Sequence, residues 1–203
     1  MPALRSTACA PRGVANRTSS PVAVVANELG GTLGSDAAIL APMPFKPEIT
    51  VAAVTEDDGR FLVVEERINQ RLVLNQPAGH VEHGETLLEA VIREAREETA
   101  WRFEPKSLLN AYLWRNPRNG RTTLRFAFVG TVSDHKPQQP LDTGIVTTHW
   151  LTRAELEERN GRLRSPLVLR CVDDYLNGVR QALDSVADLD LVTAGSAIQP
   201  IPV

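Results

Sequence analysis

Residues 79–101 read GHVEHGETLLEAVIREAREETAW, a stretch holding six glutamates and two arginines. Carboxylates at this density either solvate an exposed helix face or bind a hard divalent cation through oxygen. Glu94, Glu97 and Glu98 are spaced i, i+3, i+4 and share neighbouring arcs of one helix. Like charges at that spacing repel, and partial burial raises the cost, so a cation would relieve it. The alternative is a surface ladder: Glu89, Arg93 and Glu97 step by four, worth about 0.2–0.5 kcal/mol per pair. A ladder accounts for part of the charge, but not for three clustered carboxylates beside an apolar face.

The helix that would carry them begins at about Leu87, because Thr86 and Glu89 form a T-x-x-E capping box. Leu87, Leu88, Val91, Ile92 and Ala95 then fall on one arc and face a core, with Glu98 at its edge. Around this helix, ITVAAVTED and RFLVVEER are strands joined at Asp58-Gly59, a hairpin pair. LVLNQPAGH reads as one short strand ending at Pro77. LLNAYLWRNP and TTLRFAFVGTV flank Asn119-Gly120, a second hairpin. THWL is a strand followed by a helix over TRAELEERN, capped by Thr152 and Glu155, and residues 165–183 read as a C-terminal helix. Strands interleaved with helices give an α/β (α+β) domain with a mixed sheet between helices.

The 203 residues suit one domain. Residues 1–44, rich in Ala, Pro, Gly, Ser and Thr, bury too little apolar surface to order and are expected to be a disordered extension. The domain is expected over 45–183 and a flexible tail over 184–203. A chain starting at Met43 is expected to retain full stability and turnover. A formal net charge of −3 argues against a nucleic-acid polymer as partner, so an anionic substrate needs a divalent cation or a few placed arginines. Cys9 and Cys171 have neither zinc nor disulfide spacing, which fits a reducing cytoplasm. His80 and His83 lack partner ligands for zinc. No run approaches the ~18 apolar residues of a membrane span.

Gly79, Glu85, Arg93, Glu94, Ala95, Glu97 and Glu98 satisfy G-x5-E-x7-R-E-U-x-E-E, where U is apolar. The stretch resembles the Nudix box of hydrolases that cleave nucleoside diphosphates linked to another group, and the likeness extends from about Phe45 to Leu183. The resemblance implies an α/β/α sandwich, Mg2+ as cofactor with Mn2+ as substitute, a small phosphoanhydride substrate and a monomer. It further implies release of inorganic phosphate from nucleoside di- and triphosphates and from hydroxymethylpyrimidine pyrophosphate, a thiamine precursor. Two alternatives stay open: a pyrophosphatase releasing a nucleoside monophosphate, for example from ADP-ribose, and a binding module without hydrolysis.

By the same resemblance Glu94, Glu97 and Glu98 carry the metal, with Arg93 bracing them from behind. Gly79 lets the backbone approach the metal, and Glu85 holds the loop against the helix. Asp142, in QPLDTG, is a candidate base or additional ligand; the alternative is an Asp in a turn. Arg115, Arg118, Arg121 and Arg125 cluster about the second hairpin as candidate phosphate contacts or solubilising charges. Tyr112 and Trp114 either stack on a base or pack. The box normally ends in Gly and an aliphatic residue, where this chain has Ala100 and Trp101, so an altered helix exit is expected.

Overall fold

The computed structural model describes residues 45–187; the expected N-terminal extension and residues 188–203 of the expected tail lie outside them. Two sheets form. The first runs β5 (Ala78–His80), β1 (Glu48–Val54), β7 (Thr122–Ser133), β6 (Arg102–Arg115); β1 and β7 are parallel and the other pairs antiparallel. In the second, β3 (Arg60–Ile68) pairs with β2 (Glu56–Asp57) and β4 (Arg71–Asn75) and with β8 (Ile145–Thr152), all antiparallel. The β2–β3 turn has φ +47° at Asp58 and +74° at Gly59, the doubly left-handed conformation that matches strand twist.

Strand β1 explains the layering. Val51 and Ala53 pack on one face with Leu87, Ala90, Val91 and Ala95 of α1 (Leu87–Thr99). Ala52 and Val54 point the other way, into a cluster with Phe61 and Val63 of the second sheet and with Val168 and Val172 of α3 (Leu167–Leu176). A strand buried on both faces loses the alternation of polar and apolar residues, which is why VAAV, Val51–Val54, is apolar throughout. The short α2 (Arg153–Glu158) starts at the capping box of Thr152 and Glu155 and adds Leu156 to the second cluster. The result is the expected mixed α+β layering, with α1 on one side of the mixed sheet and α3 with the second sheet on the other.

The expected mixed sheet is found, and a second, antiparallel sheet accompanies it. The strand expected to end at Pro77 ends at Asn75, and a further strand, Ala78–His80, follows in the other sheet: Pro77 has no N–H for a ladder, and there the chain crosses over. Gln76 fixes the crossing by donating Nε2 to the Val168 carbonyl at 2.8 Å, while the Pro77 carbonyl accepts from Ala53 N at 2.9 Å. The C-terminal helix stops at Leu176 rather than near 183, since Asn177 and Gly178 are poor helix formers. Beyond it the chain bridges Gln181 to Leu108 and makes a 3₁₀ turn at Leu183–Ser185, with Leu183 and Val186 against the first-face cluster.

Candidate active site

Helix α1 is closed at both ends. At its start the Thr86 side chain accepts from Glu89 N at 3.1 Å, and Glu89 Oε2 accepts from Thr86 N at 2.9 Å. Glu89 is thus committed to the cap and takes no part in a ladder with Arg93. At its end Ala100 adopts the left-handed conformation, φ +59° and ψ +12°, that glycine usually supplies, so the exit is not altered as expected. The segment after β7 holds it there. The Arg96 carbonyl accepts from Gln139 Nε2 (2.9 Å), Glu97 O from Asp142 N (2.9 Å) and Ala100 O from Lys136 N (3.0 Å). Trp101 stacks on His135 with ring centres 4.3 Å apart.

Arg93 organises the acidic face. Its Nε and Nη2 donate to the two oxygens of Glu85 at 2.9 and 2.6 Å, and Nη2 also reaches the His80 carbonyl at 3.0 Å. Nη1 donates to Glu94 Oε1 at 2.9 Å and to Glu97 Oε2 at 3.1 Å. These bonds, Glu85 first, hold the guanidinium above its ordinary pKa, and Arg93 in turn lowers that of Glu85. Glu85 therefore ties the 80–85 loop to the helix, with Glu82 N donating to its Oε1.

Glu94 and Glu98 are each only 8% exposed, whereas Glu97 faces solvent. Burial raises the pKa of Glu94, opposed by Arg93. Burial pushes Glu98 to about 8; the Ala78 N–H, donated to Glu98 Oε2 at 2.8 Å, opposes this, and Glu94, Glu66 and Asp142 add to it. Gly79 serves less to admit a metal to the backbone than to admit Glu94: a β-carbon at 79 would fall 2.1 Å from Glu94 Oε1.

Among the described residues no three His, Cys, Asp or Glu side chains converge on one point that would hold an ion. Arg93 draws Glu97 and one oxygen of Glu94 to itself, and Ala78 takes one oxygen of Glu98. The donors nevertheless fit a hard divalent cation. Two buried carboxylates lie side by side with no cation but Arg93 bonded to them, and Mg2+ needs only one or two protein carboxylates because it keeps waters and binds substrate phosphate.

Beside β5 a cavity of about 310 Å3 reaches from Gly79 between the sheets, and Trp114, Arg121 and Arg125 line it. Arg125 is buried, with Nη1 donating to Asn75 Oδ1 at 3.4 Å; burial lowers its pKa. Arg115 is exposed and outside the cavity. Tyr112 packs, its hydroxyl donating to Asp174 Oδ2 at 2.8 Å. Asp142 is exposed, accepts from Thr143 N at 2.6 Å as turn aspartates do, and lies by the carboxylates of α1 rather than in the cavity. Sequence reading missed Thr50, Glu66 and Asn75 of the cavity wall. Their signal was a polar residue at an inward strand position, as in Thr50-Ala52-Val54.

A family model described as NUDIX domain matches residues 44–170, and the chain belongs to that family. It is a hydrolase acting on phosphoanhydrides, in a family that generally uses divalent metal ions and acts on small molecules. Phosphatase NudJ of Escherichia coli (strain K12) is 40% identical over 146 residues, 72% of this chain and 94% of that protein. A NUDIX hydrolase structure from Nitrosomonas europaea is 43% identical with a TM-score of 0.70, covering 71% of this chain and 98% of that one. A UDP-X diphosphatase, 18% identical with a TM-score of 0.56 over 68% of this chain and 67% of its own, shares the fold. Among the described residues no helix is long and apolar enough to cross a membrane.

Proposed function

We propose that this hydrolase releases inorganic phosphate, with Mg2+, from nucleoside di- and triphosphates and from hydroxymethylpyrimidine pyrophosphate. The observation that carries this reading is the pair Glu94 and Glu98, desolvated against the backbone of residues 78 and 79 at the mouth of a cavity with a buried arginine. The similarity to phosphatase NudJ supports release of inorganic phosphate.

Glu98 and Glu94 would hold the metal, with Glu97 from the solvent side. Bound there, Mg2+ would neutralise phosphate charge and lower the pKa of its water. The chain's own work is positioning, which is most of what phosphoryl transfer asks of a protein. Arg93 keeps Glu94 and Glu97 aimed and ties them to Glu85. Arg125 offers charge to the bound substrate from the cavity wall. Asp142, carried to the end of α1 by its bond to Glu97 O, is the candidate to accept the proton of attacking water.

Phosphorus NMR of the products tests this. One nucleoside triphosphate, one diphosphate and hydroxymethylpyrimidine pyrophosphate should each yield orthophosphate. Pyrophosphate with a nucleoside monophosphate, or cleavage confined to ADP-ribose, would contradict it.

A further inference from the structure

Among the described residues four buried side-chain polar atoms lack a hydrogen-bond partner: Thr50 Oγ1, Glu66 Oε1, Gln76 Oε1 and Arg125 Nε. All but Gln76 belong to residues lining the cavity beside Gly79. A buried polar group without a partner forfeits its hydration, so three on residues of one cavity wall point to a place where a ligand supplies partners.

Strand register explains the convergence. Thr50 of β1 pairs directly with Arg125 of β7, one step before the inward residues Ala52 and Val54, Ala127 and Val129 that make the core between the sheets. The same layer is apolar at one end and polar at the other. From the facing sheet come Glu66 of β3 and Asn75 of β4. Asn75 sits beside both charges: its Oδ1 accepts from Arg125 Nη1 at 3.4 Å, and its side chain favours the ionised form of Glu66. Arg164 Nε lies 3.6 Å from Glu66 Oε1, beyond hydrogen-bond reach.

The free atoms specify their ligand. Arg125 Nε can only donate, an ionised Glu66 Oε1 can only accept, and Thr50 can do either. A phosphate, which only accepts, would satisfy the arginine and press against the carboxylate. An edge with a donor beside an acceptor satisfies both. The volume of about 310 Å3 is at the low end of ligand pockets, room for one flat heterocycle, and Trp114 on the wall offers a stacking face.

We propose that this cavity receives the organic half of the substrate and selects a nitrogen heterocycle with an amino group next to a ring nitrogen. Glu66 accepts from the amino group, and Arg125 Nε donates to the ring nitrogen. This rests on the reading that the phosphates lie at the other end, over Gly79 and the carboxylates of α1.

The test uses nucleotide pairs alike in size and charge that differ in this edge. Cytosine and adenine present amino group and bare nitrogen; uracil and hypoxanthine present carbonyl and N–H. Calorimetry on the full chain at pH 8 with Mg2+ would compare CMP with UMP and AMP with IMP. In at least one pair the amino member should bind at least about tenfold more tightly, the scale of a two-bond edge contact. Glu66→Gln, whose amide can turn to offer either group, should reduce that ratio below about threefold. Equal binding in both pairs, preference for the oxo member, or no binding by any nucleotide overturns the proposal. So does a Glu66→Gln that keeps the ratio, or one that instead weakens Mg2+ binding equally with every nucleotide, which would assign Glu66 to the metal. The comparison on the unmodified chain stands even where the variant does not fold. Phosphate release is assayed separately: discrimination without it keeps the pocket and sinks the proposed reaction, and release without discrimination does the reverse.

Discussion

The acidic face of α1 and the cavity between the sheets both bury charge, and they satisfy it in opposite ways. Along the helix Arg93 bonds Glu85, Glu94 and Glu97, and Glu98 takes the Ala78 N–H. In the cavity Thr50, Glu66 and Arg125 each keep a buried atom unpartnered. The helix face is largely satisfied by bonds within itself, which the proposed ion would have to rearrange, whereas the cavity waits for a ligand with a particular pattern of donors and acceptors. A site for a generic ligand can be rigid and self-satisfied. A site that must discriminate keeps its hydrogen-bonding atoms free.

Gly79→Ala strikes where the two regions meet, and its effect should be the largest. The backbone at Gly79 is not left-handed, so the fold should survive, but the new methyl must displace Glu94. Turnover should fall by about 100-fold or more, the effect of misplacing a catalytic group by an ångström. Near-normal turnover with an unchanged melting temperature would show that the position of Glu94 is unimportant.

A pH series on the metal-free chain addresses the cost of the carboxylates. Glu98 has a folded pKa of about 8 against an ordinary 4.5, and burial also raises Glu94 and Glu66. Between those values the native state holds protons that the unfolded chain has lost, so stability is fully present below pH 4.5 and is lost as pH rises through 8. The loss should be on the order of a few kcal/mol, read by denaturant melts. Glu98→Gln should flatten the slope, and saturating Mg2+ should oppose it. Stability that rises over this window would contradict the assignment of burial as the dominant cause.

The smallest effect concerns the helix exit. Ala100→Gly relieves about 1–2 kcal/mol of left-handed strain. It also loses a buried methyl worth about 0.8 kcal/mol and gains unfolded-state freedom of about 0.4–1 kcal/mol. The terms offset, and stability should change by less than about 1 kcal/mol. A larger destabilisation would show that the Ala100 methyl packs more tightly than its neighbours imply.

The same comparison explains what the sequence could reveal. The helix face is written at short, fixed intervals: Thr86 with Glu89, and Arg93 with Glu97, are partners because a helix turns every 3.6 residues, and Glu94 is the chain neighbour of Arg93. The reach from Arg93 back to Glu85 was legible only through the spacing of the whole box. The cavity depends on Thr50, Glu66, Asn75 and Arg125, brought together by a parallel pairing and by two sheets facing each other. No local period carries that information. Arg125 was noticed, but beside Arg115, which sits equally close to the hairpin and faces solvent. The division of LVLNQPAGH between sheets was hidden for the same reason: Pro77 announces an interruption without saying where the chain goes next.

Mn2+ titration followed by electron paramagnetic resonance reads whether the carboxylates of α1 hold a divalent cation. The unmodified chain, Glu98→Gln and Glu89→Gln would be compared, with thermal melts to verify folding. Glu89 belongs to the helix cap, and glutamine serves that position as well. Loss of even an outer partner costs about 10–100-fold in metal affinity, so Glu98→Gln should weaken Mn2+ by at least about tenfold. Glu89→Gln should stay within about twofold of the unmodified chain. Equal affinity in all three proteins would reduce the acidic stretch to a solvated face and contradict metal binding by α1.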